Sequence, residues 1–211
     1  MKKQKTIYHM ILDKSGSMSD CIPNTLEGYN EQILKIRELE KKYPEQEICL
    51  GLTTFNHEVC HLSFHRPPAS ARMLNNQNYL PDGSTALLDA IGLVVRQLES
   101  DIEMQQQEYD TTVVVVILTD GHENASQLFR LADISRTIAR LEETGKWTFS
   151  FIGATLDAVH VAQSMAIKTQ NSYTFDKAEM KGRVFENLSR SMDTYFDKKR
   201  KGGDLGKLFE D

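Results

Sequence analysis

The sequence predicts an α/β protein built on a Rossmann-like open sheet, mostly parallel with one antiparallel edge strand and with helices on both faces. Three observations carry this. Strand-like and helix-like runs alternate along the chain. Residues 111–120 (TTVVVVILTD) hold six consecutive apolar residues, five of them β-branched. That is how a central parallel strand buried on both faces reads. Residues 47–55 and 58–65 also read as strands, joined too tightly for a parallel crossover, so they pair antiparallel.

The elements follow in order. Residues 6–13 (TIYHMILD) read as a strand ending in an acid. Leu26, Tyr29, Ile33, Ile36, Leu39 and Tyr43 recur at spacings of 3, 4, 3, 3 and 4, which predicts a helix over 24–43 closed by Pro44. A hairpin turning at Asn56-His57 sets Phe55 opposite Glu58 and Cys49 opposite Phe64. Alternation along its second strand puts Cys60, Leu62 and Phe64 on one face, and His57, His61 and His65 on the other, toward solvent. A loop at 66–84 precedes a helix with Leu87, Ile91, Val94 and Leu98 on one stripe. Beyond the 111–120 strand, Leu128, Leu131, Ile134, Ile138 and Leu141 trace another helix. A strand at 147–154, a helix near 156–166, a short strand at 172–175 and a helix over 178–197 complete the order. One domain is expected over 1–197, with 198–211 as a basic, polar, flexible tail. Lys198, Lys199, Arg200 and Lys201 read as a solvated helix terminus that complements the helix dipole.

Composition narrows the function. The chain has 211 residues, 40% hydrophobic and 26% charged, enough for a core without disulfides. A net charge of -5 argues against nucleic acid as a partner. No apolar run reaches the ~18 residues of a membrane span. The N-terminal apolar stretch is too short for a signal peptide, so a cytoplasmic location is expected. Cys21, Cys49 and Cys60 form no disulfide framework, since strand geometry holds Cys49 and Cys60 too far apart, and all three are expected as reduced core thiols.

In open α/β sheets, ligands gather at the carboxyl ends of the strands. Two predicted strands end there in aspartate, Asp13 and Asp120. Asp13 opens the run DKSGSM, in which Gly16 would let Ser15 and Ser17 point inward together; Gly121, His122, Glu123 and Asn124 follow Asp120. Between them in sequence lies GSTAL, a turn before a helix that carries Thr85. Carboxylates and hydroxyls are hard ligands, suited to magnesium, manganese or calcium rather than zinc or copper. His122 and Glu123 are secondary candidates for ligand contact on the rim, with Asp82 and Asp89 behind them; Asp89 reads as a brace for the helix near Thr85. His57, His61 and His65 suggest zinc, but strand neighbours four apart stand ~13 Å from one another.

Asp13-x-Ser15-x-Ser17, the threonine of GSTALLDA (Thr85) and the aspartate of ILTDG (Asp120) together resemble the metal-ion-dependent adhesion site of von Willebrand factor type A domains. The order of elements resembles that family from residue 6 to about 197, and the bare domain with DKSGSM looks like the stand-alone intracellular bacterial type. The resemblance implies that Ser15 and Ser17 bind a metal directly through their hydroxyls, that Thr85 does so in a ligand-competent state and through water otherwise, and that Asp13 and Asp120 act largely through waters and hydrogen bonds to the serines. It implies Mg²⁺ or Mn²⁺, with Ca²⁺ behind them. It also implies a monomeric adaptor, not an enzyme, that captures an Asp or Glu of a partner protein such as an AAA+ ATPase or a stress-response factor, with no nucleic-acid or membrane partner. Two alternatives stand beside it. A magnesium-dependent phosphoryl-transfer enzyme would need a second aspartate where Ser15 stands, or an acidic cluster beside Asp13, and no phosphate-binding loop is present. A scaffold protein would use the metal only to hold the sheet edge together.

Overall fold

The structure, a computed structural model, describes residues 2–120, 122–153, 158–174 and 183–209. Six strands form one sheet: β1 (Lys3–Asp13), β2 (Gln46–Phe55), β3 (Val59–Arg66), β4 (Tyr109–Thr119), β5 (Trp147–Gly153) and β6 (Ser172–Thr174). Their spatial order is β3-β2-β1-β4-β5-β6, and every pair is parallel except β2 with β3. The helices are α1 (Ile22–Lys42), α2 (Leu87–Gln105), α3 (Leu131–Glu143), α4 (Ala158–Ser164) and α5 (Arg183–Lys201). The architecture is the one the sequence predicts. Phe175 and residues 178–182 of the predicted last strand and helix lie outside the described residues, as do 156 and 157.

β4 shows why the valine run reads as it does. Val114, Val116 and Leu118 join the core under α1 and α5, while Val113, Val115 and Ile117 join the core under α2, α3 and α4. Each side chain is removed from water, contributing roughly 1.5–3 kcal/mol of hydrophobic stabilisation. A polar residue here would disturb one core or the other.

Four expectations need correction. The second strand of the hairpin is one residue out of the expected register, with Phe55 opposite Val59 and Thr53 opposite His61. Irregularities then follow between Thr53 and Leu52 and between Leu52 and Leu50, where the chain of β3 carries extra residues. Each extra residue shifts the inward-outward alternation. Val59 and Phe64 therefore both pack on the α2 side, whereas Cys60 and Leu62 are exposed and His61 turns its ring onto Thr53. The second correction is Cys60 itself: Cys21 and Cys49 are buried, but Cys60 is an exposed thiol.

Leu128 is the third. It is 68% exposed and precedes α3, because its backbone N–H and those of Gln127 and Phe129 are taken by the Asp89 carboxylate. The fourth is the tail. α5 runs to Lys201, and the chain beyond it docks against the sheet. Thr148 donates to the Leu205 carbonyl, Asn171 brackets Gly206 and Leu208, and Leu208 is 1% exposed. Periodicity does not reveal a segment that owes its order to hydrogen bonds with distant residues.

Candidate functional site at the carboxyl edge of the sheet

The site begins where β1 ends. Asp13 is fully buried, and its carboxylate accepts hydrogen bonds from the Ser15 backbone N–H at 2.6 Å and the Thr119 hydroxyl at 2.5 Å. Burial pushes the Asp13 carboxyl above the usual range; these bonds oppose the shift and the Asp120 charge adds to it. Its main-chain carbonyl accepts from the Tyr79 hydroxyl at 2.6 Å, which ties the 66–84 loop to the end of β1.

From Asp13 the oxygens run outward. The Ser15 and Ser17 hydroxyls are 3.1 Å apart, and Ser17 donates to an Asp120 carboxylate oxygen at 2.6 Å. Ser15 and Asp120 are 2% and 6% exposed, whereas Ser17 is open to solvent. A buried inner end with an exposed outer member suits a site that meets something from outside. Two carboxylates and two hydroxyls are thus brought together from the ends of β1 and β4.

Thr85, 3% exposed, reaches the same edge on a third loop. Its N–H donates to the Asn124 side chain at 2.8 Å, and its carbonyl accepts from the N–H groups of Asn124 and Ala125. The loop is also stitched to the first one: Gly16 N–H to Gly83 carbonyl at 3.0 Å and Asp82 N–H to Lys14 carbonyl at 2.9 Å. The glycine this turn requires is Gly83, at φ +74°, where a Cβ would also stand 2.3 Å from the His57 ring. At Gly16 a Cβ would make only ordinary contact with the Gly83 backbone, at 3.4 Å or more, so the expected special turn is not there.

The secondary candidates sort differently. Glu123 accepts from the N–H groups of Leu88, Ala125 and Ser126 and from the Ser126 hydroxyl, so it clamps the start of α2 to the 122–130 loop. Asp89 braces that same loop. His122 and Asp82 are exposed. Tyr79, Asn124, Thr119 and Asn56 are the supporting residues that sequence reasoning missed. Asn56 joins the β2–β3 turn to this edge, its carbonyl accepting from Ala86 and its amide donating to the Asp82 carbonyl. Nothing in their sequence context marks them, because each acts on a loop far away in the chain.

The donor set fits a hard cation: every polar side-chain atom in the Asp13, Ser15, Ser17, Thr85, Asp120 group is an oxygen. Among the described residues no cluster of three His, Cys, Asp or Glu is placed to hold a metal. Any ion here therefore depends on the hydroxyls.

The family model for the von Willebrand factor type A domain matches residues 9–190. The chain belongs to the von Willebrand factor type A family. No curated protein sequence matches it. Among solved structures it is similar to the von Willebrand factor domain of the type V pilus tip protein Mfa5 from Porphyromonas gingivalis, at 10% identity and TM-score 0.62, over 92% of this chain and 96% of that one. It is similar to the manganese-loaded TRAP protein of Plasmodium vivax, at 15% identity and TM-score 0.54, over 85% and 71%. The ArnB paralog VWA2 of Sulfolobus acidocaldarius matches at 15% identity and TM-score 0.54, over 90% and 45%. The chain spans about half of the length of VWA2 and of the mussel byssus matrix protein that it also resembles, 45% in each case. At these identities the likeness is one of fold. Among the described residues no helix is long and apolar enough to cross a membrane.

Proposed function

We propose that this von Willebrand factor type A domain is a metal-dependent protein-binding adaptor. Asp13, Ser15, Ser17, Thr85 and Asp120 would hold one Mg²⁺ or Mn²⁺, and the partner would supply an Asp or Glu side chain. When bound, the ion supplies Lewis acidity toward that carboxylate. The observation that carries this reading is the Ser15–Ser17–Asp120 oxygen chain, buried at one end and solvent-facing at the other. Ser17 is the member that meets solvent, so it would set the outer limit of the site. Asp13 holds Ser15 by its backbone and is itself held by Thr119, which orders the inner side. Neutral hydroxyls beside the ion would leave its charge poorly quenched, which favours capture of an outside anion. The manganese-loaded relative supports a divalent ion in this fold. A monomer in the cytoplasm, working with an AAA+ ATPase or a stress-response protein, is the setting we propose.

Calorimetry of chelator-treated protein with Mg²⁺ and Mn²⁺ tests the site. Binding heat is expected in the wild type and none in the Ser15→Ala, Ser17→Ala double variant; no heat in the wild type overturns the reading. Partner capture from lysate should disappear in chelator and be competed by a free carboxylate. Hydrolysis of nucleotides or phosphate monoesters that vanishes in Asp13→Ala would favour the phosphoryl-transfer alternative.

A further inference from the structure

Edge strand β3 is fastened to its neighbours by imidazoles. Three of the chain's six histidines, His9 on β1 and His61 and His65 on β3, gather on the α2 side of the sheet around Phe64. The ring of Phe64 lies 4.8 Å from His9, 5.2 Å from His61 and 4.7 Å from His65, centre to centre. His9 is fully buried. Its Nε2 is 2.9 Å from the Thr53 hydroxyl on β2, and the same hydroxyl is 2.8 Å from His61 Nδ1. His65, in the left-handed region at φ +47°, sets its Nδ1 3.3 Å from Asp101 of α2. His9 Nδ1 and His65 Nε2 are buried without a hydrogen-bond partner.

Proton counting shows what this arrangement tolerates. The Thr53 hydroxyl has one hydrogen and two lone pairs. With both rings neutral it donates to one nitrogen and accepts from the other, so the chain is satisfied. With both rings protonated, two N–H groups point at one oxygen and the threonine hydrogen loses its acceptor. Positive charge would also gather where little opposes it. Asp101, which also accepts from Gln97, faces the cluster from α2. Lys5 faces it from β1, itself 3.2 Å from Glu47, and disfavours a charged His65. Burial holds His9 down to about 3, with His65 and His61 adding to the effect, and burial lowers His61 as well. For His65 burial lowers and Asp101 raises.

We propose that the His9–Thr53–His61 chain, with His65 on Asp101, is an acid-released latch: proton uptake by this cluster frees β3 from β2 while the parallel strands stay paired. The sign follows from linkage. Unfolded or detached histidines take up protons near their ordinary value, and the packed ones do so only at lower pH. The closed form is therefore fully favoured above about pH 6.5 and loses ground as pH falls below it. Opening has a route to the carboxyl edge of the sheet. Asn56, in the β2–β3 turn, accepts at its carbonyl from Ala86 at 2.7 Å and donates from its amide to the Asp82 carbonyl at 2.9 Å, on either side of Thr85. Release of β3 would loosen these Asn56 bonds, so metal affinity should fall with it. That second consequence rests on the metal-site reading above; the latch does not.

Hydrogen exchange of the full chain in chelator, read by mass spectrometry at pH 7.5 and 5.5 and corrected for intrinsic rates, tests the latch. Protection of β3 amides should fall tenfold or more at the lower pH, relative to β1 and β4. Three neutral substitutions keep the hydrogen-bonding shape: His9→Gln at Nε2, His61→Asn at Nδ1, and His65→Asn, which also suits a positive φ. The variant carrying all three should show no pH-dependent loss. His61→Asn alone, at an exposed position, should reduce it and serves if the triple variant does not fold. Unchanged β3 protection in the wild type, or an undiminished loss in His61→Asn, overturns the latch. Mn²⁺ calorimetry on the same proteins separates the two ideas: β3 opening without loss of affinity refutes the coupling, and no Mn²⁺ binding at pH 7.5 refutes the metal site alone.

Discussion

Lys199 and Asp13 lie at opposite edges of the same sheet, and each sits among oxygen atoms. At the amino edge the Lys199 ammonium donates to the Lys5 carbonyl at 2.7 Å, the Thr6 hydroxyl at 2.7 Å and the Thr112 hydroxyl at 2.9 Å. All three of its hydrogens are used. The chain supplies its own cation there, at the cost of desolvation, which pulls Lys199 down to about 8. At the carboxyl edge the Asp13 carboxylate is met by neutral donors, and Ser15, Ser17 and Asp120 extend the oxygens to solvent. The lesson is one of exchange. A tethered ammonium closes one edge, whereas the other is where we propose that a cation from solution is taken up and released.

The largest expected effect comes from filling the second edge. At a hundredfold excess over Kd, Mg²⁺ or Mn²⁺ should add about 2.7 kcal/mol to wild-type stability. That is roughly 5–10 °C in Tm for a chain of this size. The Ser15→Ala, Ser17→Ala variant should gain nothing in the same melting experiment. A like gain in both would break the contrast.

Next in size is Lys199→Met, which leaves three oxygens without their donor and should cost about 1–3 kcal/mol. Because that edge has no exchangeable ion, the loss should be the same in chelator and in metal. The pH dependence has a definite sign. The unfolded chain keeps this proton to about pH 10.4 and the folded one to about 8. Wild-type stability relative to Lys199→Met should therefore rise with pH between those values and be level below them. Urea titrations at pH 7, 8 and 9 measure it; a fall with pH contradicts the buried-ammonium account.

Asn124→Ala should weaken metal binding about three- to tenfold, the loss of one hydrogen bond of about 1 kcal/mol. It takes away the acceptor that holds the Thr85 N–H. Calorimetry reads this directly, and an unchanged affinity would place Thr85 outside the site. The smallest effect is expected for Asp13→Asn and Asp120→Asn in chelator, within about 1 kcal/mol of wild type, since each relieves a like-charge pair and keeps an acceptor. With metal present, neither should show the wild-type gain. Large destabilisation in chelator would make these aspartates braces rather than ion-binding groups.

The parts of this protein legible in the sequence are those whose cause is local. The valine run announces β4 because both of its faces are buried, and the stripe from Leu26 to Tyr43 announces α1 because one face is. Asp13, Ser15 and Ser17 could be noticed together because they lie within five residues on one loop. Their partner Asp120 could be added because it too ends a strand, and strand ends in a parallel sheet share an edge. The misses have long-range causes. Alternation along β3 fails because its pairing with β2 is offset by one residue and then irregular, which leaves Cys60 and Leu62 exposed and lays the His61 ring on Thr53. Leu128 leaves the helical stripe because Asp89, on another helix, captures its backbone.

By itself, then, the sequence determined the fold class, the order of strands and helices, and the chemistry of the oxygens at the carboxyl edge. Those follow from apolar periodicity and from residue type, which act over a few residues. Only the tertiary structure decided which polar groups are spent inside the protein. Glu123 and Lys199 look like solvent-facing charges in sequence, and one is spent on backbone N–H groups and the other on oxygens at the sheet edge. His9 looks like a strand residue of no note, and it lies fully buried between two strands with a ring nitrogen unpaired. Hydrogen-bond satisfaction depends on atoms brought from distant parts of the chain, so it becomes visible only when the chain is folded.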